Sequence, residues 1–486
     1  MTDKLDLNTL ATGVPGLDTI LGGGLPELSF NIIGGAPGSG KTTFAQQIMF
    51  GLAGPGRKAL FFTAMGEPPV KMLRYQQQFG FFDVAKVGDS VEFITLAPQV
   101  EEGNYDAVMA QIQEEVRVHN PALVFIDSFR SFIEGARGDQ REIAALQAFV
   151  QQLAAHMSTW KATSFLIGEY STSDADRNPI FTVADGIFWL SQQLERSAMS
   201  RKIQIVKIRG QKQRPGLHAF RIERGGISVF PRMMPVVEAS GVTPATQLPR
   251  LSSGVPVLDQ MLGGGIPVGY SVLLTGPTGS GKTILATEFL AAGAARGEHG
   301  IAALFERGPH QMMNLKLDAM VRAGQVSVMP VRELDLSIDE LLHELLARID
   351  ATGATRIVLD SLTGFELAIA LEYRDDFRDA LYRLTTVLRA RGVTVVMTSE
   401  MQDRFDSLHL GSNGSGVLVD AVVLQRFVEA NSALHTIISV VKVRGSRHSR
   451  EFRLFEVTDD GVLISEEPVP FDGVLRGTAS LRVSAA

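Results

Sequence analysis

Two periodicities alternate along the chain. Short apolar runs rich in β-branched and aromatic residues fall at 28–33, 59–63, 91–96, 123–126 and 164–167. Between them lie stretches in which apolar residues recur with helical spacing, at 44–53, 68–80, 105–119 and 140–160. The first kind predicts buried strands and the second amphipathic helices. Strands alternating with helices of this length imply βαβ units, a parallel sheet and helices on both of its faces. The alternation restarts with a strand at 271–275 and a helix at 284–294. Each half closes in a strand-rich meander with turn signals at Gly225-Gly226 and Asp460-Gly461.

The restart is a duplication. Thr12-Gly13-Val14-Pro15-Gly16-Leu17-Asp18 matches Ser253-Gly254-Val255-Pro256-Val257-Leu258-Asp259, and Leu21–Pro26 (LGGGLP) matches Leu262–Pro267 (LGGGIP), both 241 positions apart. ALVFIDS at 122–128 matches RIVLDS at 356–361, and IQIVKIRG at 203–210 matches ISVVKVRG at 438–445; small loop deletions change the offset to 233 and 235. A repeat of this length is a whole domain copied. The expected division is a first domain over 1–230, a linker over 231–249 with four prolines, a second domain over 250–465, and a weakly ordered tail over 466–486 whose last residues, 479–486, fray.

At the start of each copy stands G-x-x-x-x-G-K-[ST]: Gly35-Ala36-Pro37-Gly38-Ser39-Gly40-Lys41-Thr42 and Gly276-Pro277-Thr278-Gly279-Ser280-Gly281-Lys282-Thr283. Each follows a strand pattern and opens a helix pattern, the context of a phosphate-cradling loop. Glycines let successive N–H groups turn toward an anion, and the helix N-terminus adds its positive end. Lys41 and Lys282 would reach the β/γ-phosphates, Thr42 and Thr283 would ligate Mg²⁺, and Thr43 and Ile284 close the loop's nucleotide contacts. Asp127 and Asp360 each close an apolar strand, where α/β folds bind ligands, and would hold Mg²⁺ through water; the alternative is an N-cap at a strand–helix junction. ATP and Mg²⁺ are the expected cofactors, and the fold expected is α/β, two tandem P-loop NTPase domains of the RecA-like kind.

Taken together, the lead-in, the P-loop, the aspartate-terminated strand and a closing K-x-R-G, each present twice, resemble the KaiC family of RecA-like ATPases over residues 8–230 and 249–465. The resemblance implies a homohexamer of two stacked rings with ATP held between neighbouring subunits. It implies that Lys207, Arg209, Lys442 and Arg444 reach a neighbour's ATP; residues two apart on a strand share a face, so each pair points together, and a trans arginine stabilises phosphoryl-transfer charge. The alternative is a solvated charged edge. In the family a strand after the P-loop helix ends in a Glu-Glu pair whose first carboxylate serves as general base. Glu306 keeps that position while Arg307 replaces the second; in the first half Gly66 has lost the first carboxylate and Glu67 keeps the second. Because a one-residue shift on a strand reverses the side chain's face, the second half is expected to hydrolyse ATP faster and the first mainly to bind it. Glu169 and Glu400, ending later strands, read either as helpers of the site or as surface carboxylates.

Clock-type members phosphorylate an adjacent Ser-Thr pair in the second domain. Here Gly416-Val417 align with it, and Ser412 and Ser415 are the nearby hydroxyls. The sequence therefore reads first as an ATP-hydrolysing switch or timer acting on a protein partner, with a serine/threonine autokinase as alternative and a nucleic-acid motor on the same fold as the lesser one. The net charge of −7 argues against nucleic acid as the main partner. Basic clusters at 209–214 and 444–450 adjoin K-x-R-G, and His448 lacks partners at metal-ligand spacing. Hydrophobic content of 45% and charged content of 20% describe an ordinary globular chain of 486 residues. The absence of cysteine excludes disulfides and thiolate sites. An N-terminal MTDKLDLNTL without an apolar core, and no long apolar run, predict a cytoplasmic protein without membrane spans.

Overall fold

The computed structural model describes residues 8–63, 69–101, 104–127, 140–170, 180–195, 198–233, 245–305, 314–330, 337–368, 377–401, 415–430, 432–458, 461–469, 471–472 and 480–481. The chain divides into two compact units, Met1–Arg232 and Met233–Ala486. Each is built on a nine-stranded, mostly parallel sheet.

In the first unit the sheet runs in the order Val91–Thr95, Ala59–Thr63, Leu123–Asp127, Thr163–Glu169, Phe30–Gly35, Gly186–Glu195, Ala198–Ile208, Leu217–Glu223, Gly226–Phe230. Every neighbouring pair up to Gly186–Glu195 is parallel, and the remaining pairs are antiparallel. The second unit repeats this order with Val326–Pro330, Gly300–Leu304, Arg356–Asp360, Thr394–Glu400, Ser271–Gly276, Ala421–Ala430, Ala433–Val443, Arg453–Thr458 and Gly461–Pro468. The expected parallel sheet and terminal meander are thus present in both copies.

The apolar periods find opposite faces. In the first unit Phe44, Ala45, Ile48 and Met49 of the helix Lys41–Leu52 pack on one side of the sheet, against Phe61, Phe125 and Phe165. Val108, Met109 and Ile112 of Tyr105–His119 and Leu153, Ala154 and Met157 of Gln140–Met157 pack on the other, against Leu60, Val124 and Leu166. Alternate residues of each central strand serve both layers, which is why these strands read as continuous apolar runs. The duplicated lead-in is a loop closed by its aspartate: Asp18 Oδ1 accepts from Thr12 N at 3.0 Å and Oγ1 at 2.7 Å, and Asp259 Oδ1 accepts from Ser253 N at 2.7 Å.

Several boundaries differ from the sequence reading. The phosphate-loop strands extend to Gly35 and Gly276, and their helices begin at Lys41 and Lys282, not at Phe44 and Ile284. Gly40 and Gly281, both left-handed, launch each helix earlier than its first large apolar residue indicates. Of the tail expected over 466–486, only 466–469, 471–472 and 480–481 are among the described residues, and these are structured. The last long strand continues to Pro468, Val469 buries beside Val428 and Ile437, and Phe471–Asp472 pairs antiparallel with Ser480–Leu481. Ser480 and Leu481 are therefore paired, contrary to the expectation of a frayed end. Among the described residues no helix is long and apolar enough to cross a membrane.

Candidate functional site

Each phosphate loop links the carboxyl end of a central strand to a helix N-terminus. The first glycine is set by its neighbour strand. A Cβ on Gly35 would lie 2.0 Å from Leu190 O, and one on Gly276 would lie 2.7 Å from Gln425 O. Lys41 and Lys282 open the helices, and both are largely buried. Lys41 Nζ donates to Ala36 O at 2.8 Å, while Lys282 Nζ donates to Gly276 O at 2.9 Å and Pro277 O at 2.7 Å. The ammonium groups are thus folded over their own loops, where a phosphate would lie. Gly38, Ser39, Gly40, Gly279, Ser280 and Gly281 complete the two loops, and Thr43 and Ile284 stand in the first helical turns.

The predicted metal ligands come together in both units. Thr42 Oγ1 donates to Asp127 Oδ2 at 2.7 Å, and Thr283 Oγ1 donates to Asp360 Oδ2 at 2.7 Å. A hydroxyl and a carboxylate held this close at a phosphate loop are hard oxygen donors of the kind Mg²⁺ takes with a nucleotide. The residues present therefore fit the ion.

The flanks of the two aspartates differ. Asp360 Oδ1 also accepts a hydrogen bond from Thr398 Oγ1. In the first unit the strand position equivalent to Thr398 is Ile167, buried and apolar. Burial pushes the Asp127 carboxyl up to about 6; the Thr42 hydrogen bond and the Lys41 charge oppose the rise, and the Glu169 charge adds to it. Beside Asp127 the strand partner is Thr63, whose buried hydroxyl has no hydrogen-bond partner among the described residues; the second unit places Leu304 beside Asp360. The polar neighbour has changed sides between the copies. Glu400 also lies at its loop, since Thr278 Oγ1 donates to Glu400 Oε1 at 2.7 Å.

The K-x-R-G pairs behave alike in both units. Lys207 Nζ donates to Phe181 O and Thr182 O at 3.3 and 3.0 Å, and Arg209 donates to Thr182 O and to Asp185 Oδ1 at 3.3 and 3.1 Å. Lys442 Nζ donates to Gly416 O, Val417 O and Val419 O, and Arg444 Nη2 to Val417 O at 2.6 Å. Each pair shares a face, as strand spacing requires, and gathers on the last carbonyls of a short helix, Ile180–Val183 or Ser415–Leu418. Burial, then the neighbouring arginine, lowers the Lys207 and Lys442 pKa values. Glu67, Glu306 and Ser412 lie outside the described residues; Ser415 begins the helix Ser415–Leu418.

Two pocket residues escaped the sequence reading, Thr398 and Gln425. Thr398 stands two positions before Glu400, and Gln425, with Arg426, interrupts the otherwise apolar strand AVVLQRF.

Comparison with known proteins gives a consistent picture. A family described as "ATPase: KaiC" matches residues 10–234 and again 251–469. The chain is 28% identical to the circadian clock oscillator protein KaiC of Picosynechococcus sp., covering 96% of this chain and 92% of that one. It is 27% identical to the protein of that name from Synechococcus elongatus, over 96% and 91%, and 26% identical to that from Thermostichus vulcanus, over 97% and 92%.

Proposed function

The chain belongs to the KaiC family of ATPases, and from that premise we propose that it binds ATP in both pockets and hydrolyses it chiefly in the second, as a homohexameric switch or timer. The observation that carries this reading is the twice-repeated bond between the phosphate-loop threonine and the strand-end aspartate, at 2.7 Å in each unit. Lys41 and Lys282 exchange their loop carbonyls for β/γ-phosphate oxygens, and the loop N–H groups orient the triphosphate. Thr42 with Asp127, and Thr283 with Asp360, hold Mg²⁺. The ion, when bound, neutralises charge on the phosphate oxygens. Glu306 takes the proton of the attacking water, and Lys207, Arg209, Lys442 and Arg444 complete the pocket of an adjacent protomer in a double ring. The exposed side of both arginines and their position beyond the sheet's parallel half support that last assignment.

The relatives' clock role supports a timing output through a protein partner. Gly416 and Val417, where an acceptor pair would stand, instead offer carbonyls to Lys442 and Arg444, which favours water as the acceptor. The test is steady-state phosphate release with light scattering on Mg-ATP-saturated protein. Glu306→Gln should remove most turnover, Glu67→Gln little, and the parent should run at six chains. Turnover surviving Glu306→Gln, or a lone chain under saturating Mg-ATP, would refute the reading.

A further inference from the structure

The serine before the last glycine of each phosphate loop is buried in both units, Ser39 and Ser280. Its N–H donates within the loop in each copy, Ser39 to Ala36 O at 3.3 Å and Ser280 to Pro277 O at 3.2 Å. The side chains diverge. Ser280 Oγ donates to Gln425 Oε1 at 3.2 Å. Ser39 Oγ has no hydrogen-bond partner among the described residues.

The cause lies on the adjacent strand. Gly35 pairs with Leu190, and the second unit's register, Thr275 with Leu424, puts Gln425 at the same place beside Gly276. Leu190 and Gln425 are both fully or almost fully buried. One copy therefore sets an apolar side chain under the loop, and the other an amide of similar size within reach of the serine hydroxyl. The first loop is held from outside instead, through Gln192 Nε2 to Pro37 O at 2.9 Å, an exposed bond that water competes for.

We propose that Gln425 is a positioning residue of the second nucleotide pocket: it anchors the phosphate loop through Ser280, and its replacement by Leu190 leaves the first loop free to rearrange. The inference rests on the nucleotide reading above and adds a division between the pockets in how long nucleotide stays. A loop fixed from beneath loses less freedom when it closes on phosphates, so nucleotide leaves it more slowly. One buried neutral hydrogen bond corresponds to about a twofold to tenfold change in an equilibrium or release rate.

The experiment uses the full chain with one pocket silenced, Lys41→Ala or Lys282→Ala, and follows release of N-methylanthraniloyl-ATP by stopped-flow fluorescence. Gln425→Leu should speed release from the second pocket about fivefold, and Leu190→Gln should slow release from the first by a similar factor. The Gln425→Leu effect should vanish in a Ser280→Ala background, and the Leu190→Gln effect in Ser39→Ala. A packing role alone would not produce a gain in the first pocket or its dependence on Ser39. Release rates unmoved by either exchange would overturn this inference and leave nucleotide binding intact. Failure of both single-pocket proteins to bind the probe would overturn the nucleotide reading and this inference with it.

Discussion

Asp127→Asn offers a direct measure of what the first pocket demands of the fold. The Asp127 carboxyl is pushed from its ordinary 3.8 to about 6, chiefly by burial. Below pH ~3.8 it is neutral in both folded and unfolded chains and contributes nothing. Between ~3.8 and ~6 the folded state keeps a proton that the unfolded state has lost, so stability falls as pH rises; above ~6 the full cost is present. At 1.36 kcal/mol per tenfold, that cost is about 3 kcal/mol at pH 7.5 and about 1.5 kcal/mol at pH 5. Asparagine keeps an acceptor for Thr42 and has no charge to bury, so in Mg²⁺-free buffer it should stabilise the first unit by those amounts. The chain's two tryptophans, Trp160 and Trp189, both lie in the first unit. Urea unfolding followed by tryptophan fluorescence therefore isolates it, with a midpoint shift of about 1 M at pH 7.5. Mg-ATP should stabilise the parent and not the variant, because only the ionised carboxylate recruits the ion. A variant no more stable than the parent, or a gain equal at pH 5 and pH 7.5, would refute the burial argument.

Two further outcomes follow from the differences between the copies. Thr398→Ile removes one of the two hydroxyls bonded to Asp360 and should weaken Mg-ATP binding at the second pocket about fivefold in equilibrium titrations on a Lys41→Ala background; a change under about twofold would show that Thr398 is idle. Arg356, fully buried, joins Glu298 at 2.6 Å to the carbonyls of Ser252 and Phe289, where the first unit has Leu123. Arg356→Leu leaves those acceptors stranded and should destabilise the second unit by about 3 kcal/mol in circular dichroism melts while the tryptophan transition stays in place; an unchanged second transition would contradict it.

What the sequence could disclose depended on whether a feature repeats locally. The phosphate loops and strand-end aspartates were legible because fixed spacing imposes their geometry, and Thr42–Asp127 and Thr283–Asp360 meet as spacing implied. The strand pattern was legible because double burial writes continuous apolar runs. Helix starts were misjudged because Gly40 and Gly281 turn the chain before the apolar period begins. The burial of Val469 is not legible locally because it finds its cover on Val428 and Ile437, distant in sequence. Thr398 and Gln425 were missed for the same reason: their meaning comes from which strand lies beside them, and that register is set by the whole sheet.

The two pockets share a frame and differ at its edges, and the edges decide behaviour. Both loops are built on the same strand pair, with the same lysine and the same threonine–aspartate bond, so both fit a triphosphate. Around that common centre the second copy gathers hydroxyl and amide partners, Thr398 on Asp360 and Gln425 on Ser280, where the first copy sets Ile167 and Leu190. Each exchange acts in the same direction. The first pocket keeps a carboxylate that burial pushes up to about 6 and a loop serine whose hydroxyl has no hydrogen-bond partner among the described residues. Hydrogen-bonded partners hold reacting groups in place before a substrate arrives, whereas apolar walls leave that ordering to be done on binding. A copy that only exchanges nucleotide tolerates the second arrangement, and a copy that must cleave it is served by the first. The proposed division of labour, drawn from Glu306 and Glu67 in the sequence, thus gains a separate argument from residues bonded to the second copy's phosphate loop and aspartate.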